Sequence, residues 1–546
     1  MSTDTSEKGL ELLIMRSLTG LTDEQILKKP GARVAEAPVG YGGAGYELGQ
    51  PGDYDRDHAV DLPKLLSFIQ NTQPQAFDQL SLASDGPGGL QFLNRLQGEI
   101  AKRGIVDVLR KGVLHGPAKV ELFYGTPSPG NQMAKEQWDA NIFSVTRQLR
   151  YSKDGTRLAL DLALFINGLP IATFELKNRL TKQTVDDAVQ QYKRDRDPRE
   201  LLFHFARCLV HFAVDEQQVM FCTKLAGKDS WFLPCNKGWN DGAGNPPNPD
   251  GMKTDYLWKT ILTREGLTDI LENYAQRVET KDEKTGRKQE SLIFPRFHQL
   301  DVVCKLIADA RANGAGKRYL IQHSAGSGKS NSIAWLAHQL VGLEKGSRPV
   351  FDSVIVVTDR VLLDKQIRDT IKQFAQVGSI VGHAERAGQL KEFLKGGKKI
   401  VVTTVQKFPF VLEDIGSEHR DRTFAILIDE AHSSQSGRTA AKMNMALSEA
   451  GADEDDEDTE DQINRIMETR KMLANASYFA FTATPKNKTL EVFGDPVSDG
   501  DVVKHRPFHS YTMKQAIQEQ FILDVLVNYT PYKSYYNLVS IFALFV

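Results

Sequence analysis

The sequence predicts an α/β protein of more than one domain, and three observations carry that prediction. From residue 318 onward, short β-branched runs alternate with helical patterns: RYLIQ (318 to 322), SVIVVT (353 to 358), KIVVTTV (399 to 405), FAILIDE (424 to 430) and YFAFTAT (478 to 484). Near-continuous apolar strands separated by helices mark a parallel sheet covered on both faces, so this half is expected to be doubly wound. The first 230 or so residues instead mix helical patterns with short strands, and they close in a polar, turn-rich segment, NKGWNDGAGNPPNPDGMK (236 to 253). The 546 residues also exceed one core; at roughly 150 residues per domain they suggest two to four domains.

A second hydrophilic stretch, VETKDEKTGRKQE (278 to 290), follows a helix-like run and puts a boundary between 255 and 290. The expected organisation is a first domain over 1–255, a linker or helical connection over 256–290, a second domain over 291–535 and an atypical apolar tail over 536–546. The formal charge of -2 announces no global affinity for polyanions, although a large enzyme can confine basic charge to a groove. Cys208, Cys222, Cys235 and Cys304 have neither C-x-x-C spacing nor paired histidines, so no disulfide framework or structural zinc is indicated. A reducing cytoplasm fits this usage. The N-terminus lacks the basic start and apolar run of a secretory signal, and LVSIFALFV near the C-terminus falls short of the ~20 residues of a membrane span. DEDDEDTED (453 to 461) places eight carboxylates in nine positions and reads as a solvated, self-repelling loop, with mimicry of a nucleic acid as the alternative.

QHSAGSGKSN follows the strand RYLIQ and precedes the amphipathic run SIAWLAHQL, the strand, Gly-rich loop and helix order of a phosphate cradle. Gly326, Ser327 and Gly328 form the loop, whose backbone N–H groups close on phosphates without side-chain clash. Lys329 is expected to reach the β and γ phosphates of ATP, and Ser330 to offer its hydroxyl to Mg²⁺. One departure stands out: His323 occupies the position of the first glycine in G-x-x-x-x-G-K-[ST]. ILIDEAH supplies the other half of the site. Asp429, at the carboxyl end of an apolar strand, is expected to hold Mg²⁺ through water, Glu430 to polarise the attacking water and His432 to link the site to the next loop. FTATP adds Thr482 and Thr484 at the end of a further strand, where parallel sheets bind ligands.

DLALFINGLPIATFELKN (161 to 178) reads as two apolar strands joined by Asn167-Gly168, the chemistry of a hairpin turn. Folding brings Asp161 back toward Glu175, and strand alternation puts Glu175 and Lys177 on one face. Two carboxylates and a lysine thus converge; a surface hairpin with a cross-strand ion pair is the bland alternative. Just beyond it, KNRLTKQ and QQYKRDRDPRE gather basic residues, either as a solvated helix face or as a contact to phosphates.

Taken in order, FHQ (297 to 299), GSGKS, VTDRVLLDKQ (357 to 366), TTVQKF (403 to 408), DEAH and FTATP resemble the motif series of superfamily 2 helicases and translocases. That resemblance implies a RecA-like first lobe, adenine reading by Gln299, and coupling of ATP state to nucleic-acid contact through Thr482 and Thr484. Asp161 followed by Glu175-x-Lys177 resembles the PD-(D/E)xK nuclease core, which implies Mg²⁺ on Asp161 and Glu175 and a water positioned or activated by Lys177. A further Gln, here Gln191, is a candidate accessory residue; Tyr192 is not at the family's spacing from it and is left as a helix residue.

A nuclease core and a superfamily 2 motor on one chain, together with LAGKDSWFLPCNKG and GAGNPPNP, resemble the R (restriction and motor) subunit of type I restriction enzymes. The resemblance implies an ATP-dependent translocase and Mg²⁺-dependent endonuclease that cuts unmethylated double-stranded DNA away from its recognition site. Its partners would be the methyltransferase (M) and specificity (S) subunits, in the cytoplasm and away from membranes. About sixty residues follow FTATP, too few for a second motor domain, so a truncated or frameshifted chain is expected. A non-translocating nucleotide- and DNA-binding remnant and a stand-alone repair nuclease-helicase are the alternatives.

Overall fold

A computed structural model describes residues 7–27, 43–83, 87–154, 158–178, 182–281, 286, 288–358, 371, 381–383, 387–405, 408–409, 412, 415, 419–429, 473–499 and 502–524. Two seven-stranded sheets organise these residues. The first comprises β1 (Glu47–Leu48), β2 (Phe143–Leu149), β3 (Leu160–Ile166), β4 (Leu169–Leu176), β5 (Val210–Val214), β6 (Val219–Cys222) and β7 (Leu233–Pro234), side by side in that order. β1 and β2 pair parallel, as do β4 and β5, and the other pairs are antiparallel.

At its centre lies the hairpin expected from the sequence. Asn167 and Gly168 alone join β3 to β4, with φ of 52° and 78°. Two left-handed residues give a turn whose twist matches that of the flanking strands. The turn is buried and fully engaged. Asn167 Oδ1 accepts from the Ile142 N–H at 2.7 Å, and Asn167 Nδ2 donates to the Leu122 carbonyl at 2.8 Å and to Asn141 Oδ1 at 3.0 Å. A Cβ on Gly168 would stand 2.4 Å from the Asp61 carbonyl oxygen, so the close approach, and not only the dihedral, demands glycine.

Alternation then sorts the hairpin's side chains between two faces. Leu162, Leu164, Phe174 and Leu176 enter a core with Leu10, Ile14 and Leu18 of helix α1 (Glu7–Thr19). Ala163 and Phe165 point the other way, into a cluster with Tyr192 of helix α2 (Val185–Asp195). A reciprocal capping box between Thr184 and Asp187 starts α2, and Val185, Ala188 and Val189 seat it on Ala213 of β5.

The second sheet comprises β8 (Arg318–His323), β9 (Ser353–Thr358), β10 (Val381–His383), β11 (Ile400–Thr404), β12 (Phe424–Ile428), β13 (Ala476–Thr482) and β14 (His509–Tyr511). Its spatial order is β10-β11-β9-β12-β13-β8-β14, and every pair is parallel. Five of these strands coincide with the runs expected from the sequence; β10 and β14 are additions. Tyr319, Ile321, Val354, Val356 and Phe479 face one way, against Leu306 of helix α3 (Phe297–Asn313) and Trp335 of helix α4 (Lys329–Val341). Leu320, Ile355, Val357, Ile426 and Tyr478 face the other, with Leu394 and Phe408. Both faces are therefore covered, as a doubly wound sheet requires.

Residues 256–281 form a packed layer, not a solvated tether. Leu257, Trp258, Leu267, Ile270 and Tyr274 are buried in the core that reaches both sheets. Arg110 donates to the carbonyls of Leu271 and Ala275 at 2.6 and 2.8 Å, and the Tyr274 ring lies 5.3 Å from that of Trp335. All four cysteines are free thiols, and no helix among the described residues is long and apolar enough to cross a membrane. The acidic block 453–461 and the tail 536–546 lie outside the described residues.

Gly168→Ala is expected to lower stability by about 2–4 kcal/mol, combining left-handed strain with a clash that a packed turn cannot relax. Urea unfolding checks this; a loss under about 1 kcal/mol would mean the turn yields.

Candidate active sites

Asp161, Glu175 and Lys177 lie on the hairpin face covered by α2. The last paired residues before them are Leu162 and Phe174, so the register carries Asp161 opposite Glu175. Asp161 Oδ2 accepts from the Leu176 N–H at 2.8 Å, and Oδ1 receives Gln148 Nε2 at 3.4 Å. Glu175 is fully buried, and Lys177, just past β4, is 8% exposed. The Lys177 N–H extends the parallel ladder to the Val214 carbonyl at 2.9 Å, which fixes the backbone from which its side chain projects.

The partner of Glu175 is a residue that sequence reasoning missed. Arg196, capping the C-terminus of α2, donates through Nε to Glu175 Oε1 at 2.6 Å. Its remaining nitrogens reach the Ala159 carbonyl at 2.8 Å and the Tyr151 hydroxyl at 3.4 Å. In the sequence Arg196 is one of several basic residues in QQYKRDRDPRE, and nothing marks it as the one that turns inward. Burial pushes the Glu175 carboxyl up to about 8; the pull of Arg196 offsets burial only in part, and the nearby Asp161 charge adds to the rise. Burial also works against the Arg196 charge, but the carboxylate beside it more than compensates, so the guanidinium stays charged.

Glu175 Oε2 is buried with no hydrogen-bond partner among the described residues. A buried carboxylate oxygen without a protein partner, beside a second carboxylate, fits a hard divalent cation, although no group of three or more His, Cys, Asp or Glu among the described residues forms a metal cluster. Gln191 is half-buried on α2. Tyr192 is wholly buried, its hydroxyl 2.8 Å from Thr173 Oγ1, which lies 2.7 Å from His211 Nδ1. Burial lowers His211 to about 3, so it is a neutral core imidazole.

The second site gathers at the carboxyl edge of the parallel sheet. After β8 the chain enters the loop with Gly326 and Gly328 at φ of 72° and 78°, and α4 begins at Lys329. Three successive loop carbonyls are held by the start of α3 and the residue before it. Arg296 donates to Gly326 O at 3.0 Å, His298 Nε2 to Ser327 O at 3.0 Å and Gln299 Nε2 to Gly328 O at 3.1 Å. Carbonyls anchored on that side leave the loop N–H groups to the other, the arrangement of an anion cradle. Gln299 thus braces the loop directly, and Arg296 and His298 join it as loop-holding residues that pattern reading did not single out. Lys329 is buried, and its Nζ donates to the His323 carbonyl at 3.3 Å.

Ser330, in the first turn of α4, is partly buried. Asp429 follows β12, is 1% exposed, and its N–H bonds the Val357 carbonyl at 2.9 Å. β13 lies between β12 and β8, and its Thr482 pairs opposite Gln322, so buried Thr482 sits between the phosphate loop and Asp429; Thr484 is exposed. Glu430 and His432 lie outside the described residues.

Two family profiles cover the two halves. Residues 54–230 match the type I restriction enzyme R protein N terminus, and residues 298–538 match the SWI2/SNF2 ATPase. The chain is thus similar in its first half to type I restriction enzyme R proteins and in its second half to SWI2/SNF2 ATPases. It is 27% identical to an endonuclease subunit assigned to the type I restriction enzyme MjaIXP of Methanocaldococcus jannaschii, over 66% of this chain and 33% of that one. It is 28% identical to the type I restriction enzyme HindI endonuclease subunit of Haemophilus influenzae, over 67% of this chain and 34% of that one. The matched span is therefore about a third of the length of these R-subunit relatives. A fragment structure assigned to an HsdR subunit from Vibrio vulnificus YJ016 aligns with 78% of this chain and 60% of its own at 15% identity and a TM-score of 0.26.

The folded value of Glu175 lies above the ordinary 4.5, so the stability of its protonated form is complete below that pH and is lost as pH rises through about 8. Glu175→Gln cannot ionise and should abolish this decline. Arg196→Met, which removes the charge that offsets burial, should carry this decline on to pH 9, about 1–2 kcal/mol beyond wild type. Urea unfolding between pH 5 and 9 is the check, and parallel pH curves for the three proteins would contradict it.

Proposed function

We propose that this chain contributes the endonuclease domain, over 1–255, and the first RecA-like motor domain, over 291–535, of an ATP-dependent type I restriction endonuclease. The observation that carries the reading is the presence on one chain of two separately built phosphate-handling sites: a carboxylate pair with a lysine on the first sheet, and a braced Gly-rich loop facing Asp429 on the second. The substrate is unmethylated duplex DNA, approached with methyltransferase and specificity subunits and cut away from the recognition site after translocation. Similarity to endonuclease subunits of type I restriction enzymes supports the nuclease assignment, and the SWI2/SNF2 match supports ATP hydrolysis as the energy source.

At the nuclease site, Asp161 and Glu175 would hold Mg²⁺. When bound, the cation stabilises charge on the scissile phosphate. Arg196 holds Oε1 of Glu175 and so directs Oε2 to the metal. Lys177 Nζ, raised from the same face, would position the attacking water by donating a hydrogen bond to it. At the motor site, Lys329 leaves the His323 carbonyl for the nucleotide phosphates, which are stronger acceptors for an ammonium than a neutral carbonyl. Ser330 and Asp429 are the groups available to Mg²⁺ there, and Thr482, between the two elements, is placed to sense the γ-phosphate.

Two sites on two sheets should fail independently. Lys177→Ala is expected to remove Mg²⁺-dependent cleavage while leaving ATP binding within about twofold of wild type, and Lys329→Ala to weaken ATP binding by about tenfold or more. ATP binding and turnover with and without duplex DNA, beside a plasmid nicking assay in Mg²⁺, separate the two. Loss of ATP binding in Lys177→Ala would argue for one shared site.

A further inference from the structure

The residue that departs from the phosphate-loop pattern also has the most built environment. His323 occupies the first-glycine position, yet its ring is fully buried at the end of β8. Its Nε2 lies 2.9 Å from His509 Nδ1, and His509 Nε2 lies 3.0 Å from Asp301 Oδ2. A carboxylate only accepts, so His509 donates through Nε2, and its Nδ1 shares the second hydrogen bond with His323 Nε2. Burial, with the Lys329 and Arg296 charges adding in the same direction, holds His323 well below the ordinary histidine range.

A ring buried only for packing would not need this chain; an apolar side chain would fill the space without a desolvated polar atom. His323 Nδ1 is itself buried with no partner among the described residues, so the bond to His509 carries the ring's orientation. The same residue's carbonyl receives Lys329 Nζ. Ring and carbonyl share one Cα, so whatever fixes the ring fixes the point from which the functional lysine departs. His509 belongs to β14, which pairs parallel with β8 through Ile321↔His509 and His323↔Tyr511. β14 reaches the loop a second way: the Tyr511 ring stacks on His298 at 3.8 Å, and His298 holds the Ser327 carbonyl. The Ser324 N–H also bonds the Tyr511 carbonyl at 3.0 Å.

We propose that His509, backed by Asp301, is a positioning residue for nucleotide binding, setting the phosphate loop from beneath through His323. The inference rests on reading the loop as the ATP site. It makes β14 part of the nucleotide site, although none of its residues belongs to a phosphate-binding motif.

The test is affinity for a fluorescent ATP analogue on the whole chain, with melting curves on the same samples. His509→Phe and His323→Phe keep a buried ring without the hydrogen bond, and each should weaken binding about five- to tenfold. The double variant should be no weaker than the worse single, because both remove one shared interaction. Asp301→Asn, whose amide oxygen still accepts from His509, should stay within about twofold of wild type, whereas Asp301→Leu should follow His509→Phe. Wild-type affinity in folded His509→Phe, additive losses in the double variant, or a lowered melting midpoint without a change in affinity would overturn the proposal. Should the phenylalanine variants not fold, the Asp301 pair decides by itself, acting at the solvent-facing end of the relay. Lys329→Ala guards the premise: equal binding by Lys329→Ala and wild type would overturn the ATP-site reading, and the relay with it.

Discussion

Strand side chains alternate with a period of two, so the two-residue turn and the one-residue register shift beyond it together decide which residues of the hairpin stand opposite one another on each face. With Asn167 and Gly168 as the whole connection, Asp161, Glu175 and Thr173 share the α2 face, while Leu162, Phe174 and Leu176 enter the core. A slip of one residue would drive Glu175 in among Leu10 and Phe212 and lift Phe174 toward Arg196. The turn's own register, Ile166↔Leu169 and Phe165↔Pro170, would set Asp161 opposite Phe174; the one-residue shift between Leu164 and Phe165 gives the pairing Leu164↔Ala172 to Leu162↔Phe174 and so brings the carboxylates opposite one another. The first site therefore depends on buried contacts at the far end of its hairpin, where Ile142, Leu122 and Asp61 hold the turn.

The two sheets are linked by more than sequence. Beyond the packed layer at 256–281, the Gly-rich segment after β7 meets helix α5 (Met513–Gln518), which follows β14. Thr512 Oγ1 donates to the Asp241 carbonyl at 2.6 Å, and the Ala243 N–H reaches Gln518 Oε1 at 2.7 Å. A Cβ at Gly238 or Gly242 would fall 2.7 or 2.4 Å from the Gln515 or Gln518 side chain. The polar composition that reads as a boundary is thus the composition of a docking surface: small residues for close approach and backbone groups for hydrogen bonds. A segment can be turn-rich and still be an interface.

What was legible follows from which signals are local. Strand, Gly-rich loop and helix in succession identify the phosphate cradle, and Asn-Gly between alternating runs identifies the hairpin, because each is set by neighbours in sequence. β9 coincides with the predicted SVIVVT from end to end, and the other four expected strands lie within two residues of prediction at either end. β14 escaped because HSY, three residues long, has no apolar run to announce it. Arg196 and His509 escaped for a different reason. Their partners lie 21 and 186 residues away in sequence, and no single-sequence pattern distinguishes an arginine that turns inward from its solvated neighbours. The connection over 256–290 holds a helix, Arg264–Asn273, and what composition does not show is its burial: Trp258, Leu267 and Tyr274 are core.

Both sites hold their reactive charges on internal partners. Glu175 leans on Arg196, and Lys329 on the His323 carbonyl, so neither buried charge stands exposed to a low-dielectric surround without compensation. On the proposed reading, ligand binding is an exchange at Lys329, where a phosphate must offer more than the existing partner, and an addition at Glu175, where a cation would meet the oxygen that Arg196 leaves open. The two cases differ in this respect. Lys329 holds a neutral carbonyl at 3.3 Å, a contact readily surrendered to an anionic phosphate. Glu175 holds a charge-assisted bond at 2.6 Å, which a metal need not break because Oε2 remains available to it. The lysine contact is therefore the weaker and the glutamate contact the stronger, the difference that the proposed roles of a nucleotide-binding lysine and a metal-binding carboxylate call for.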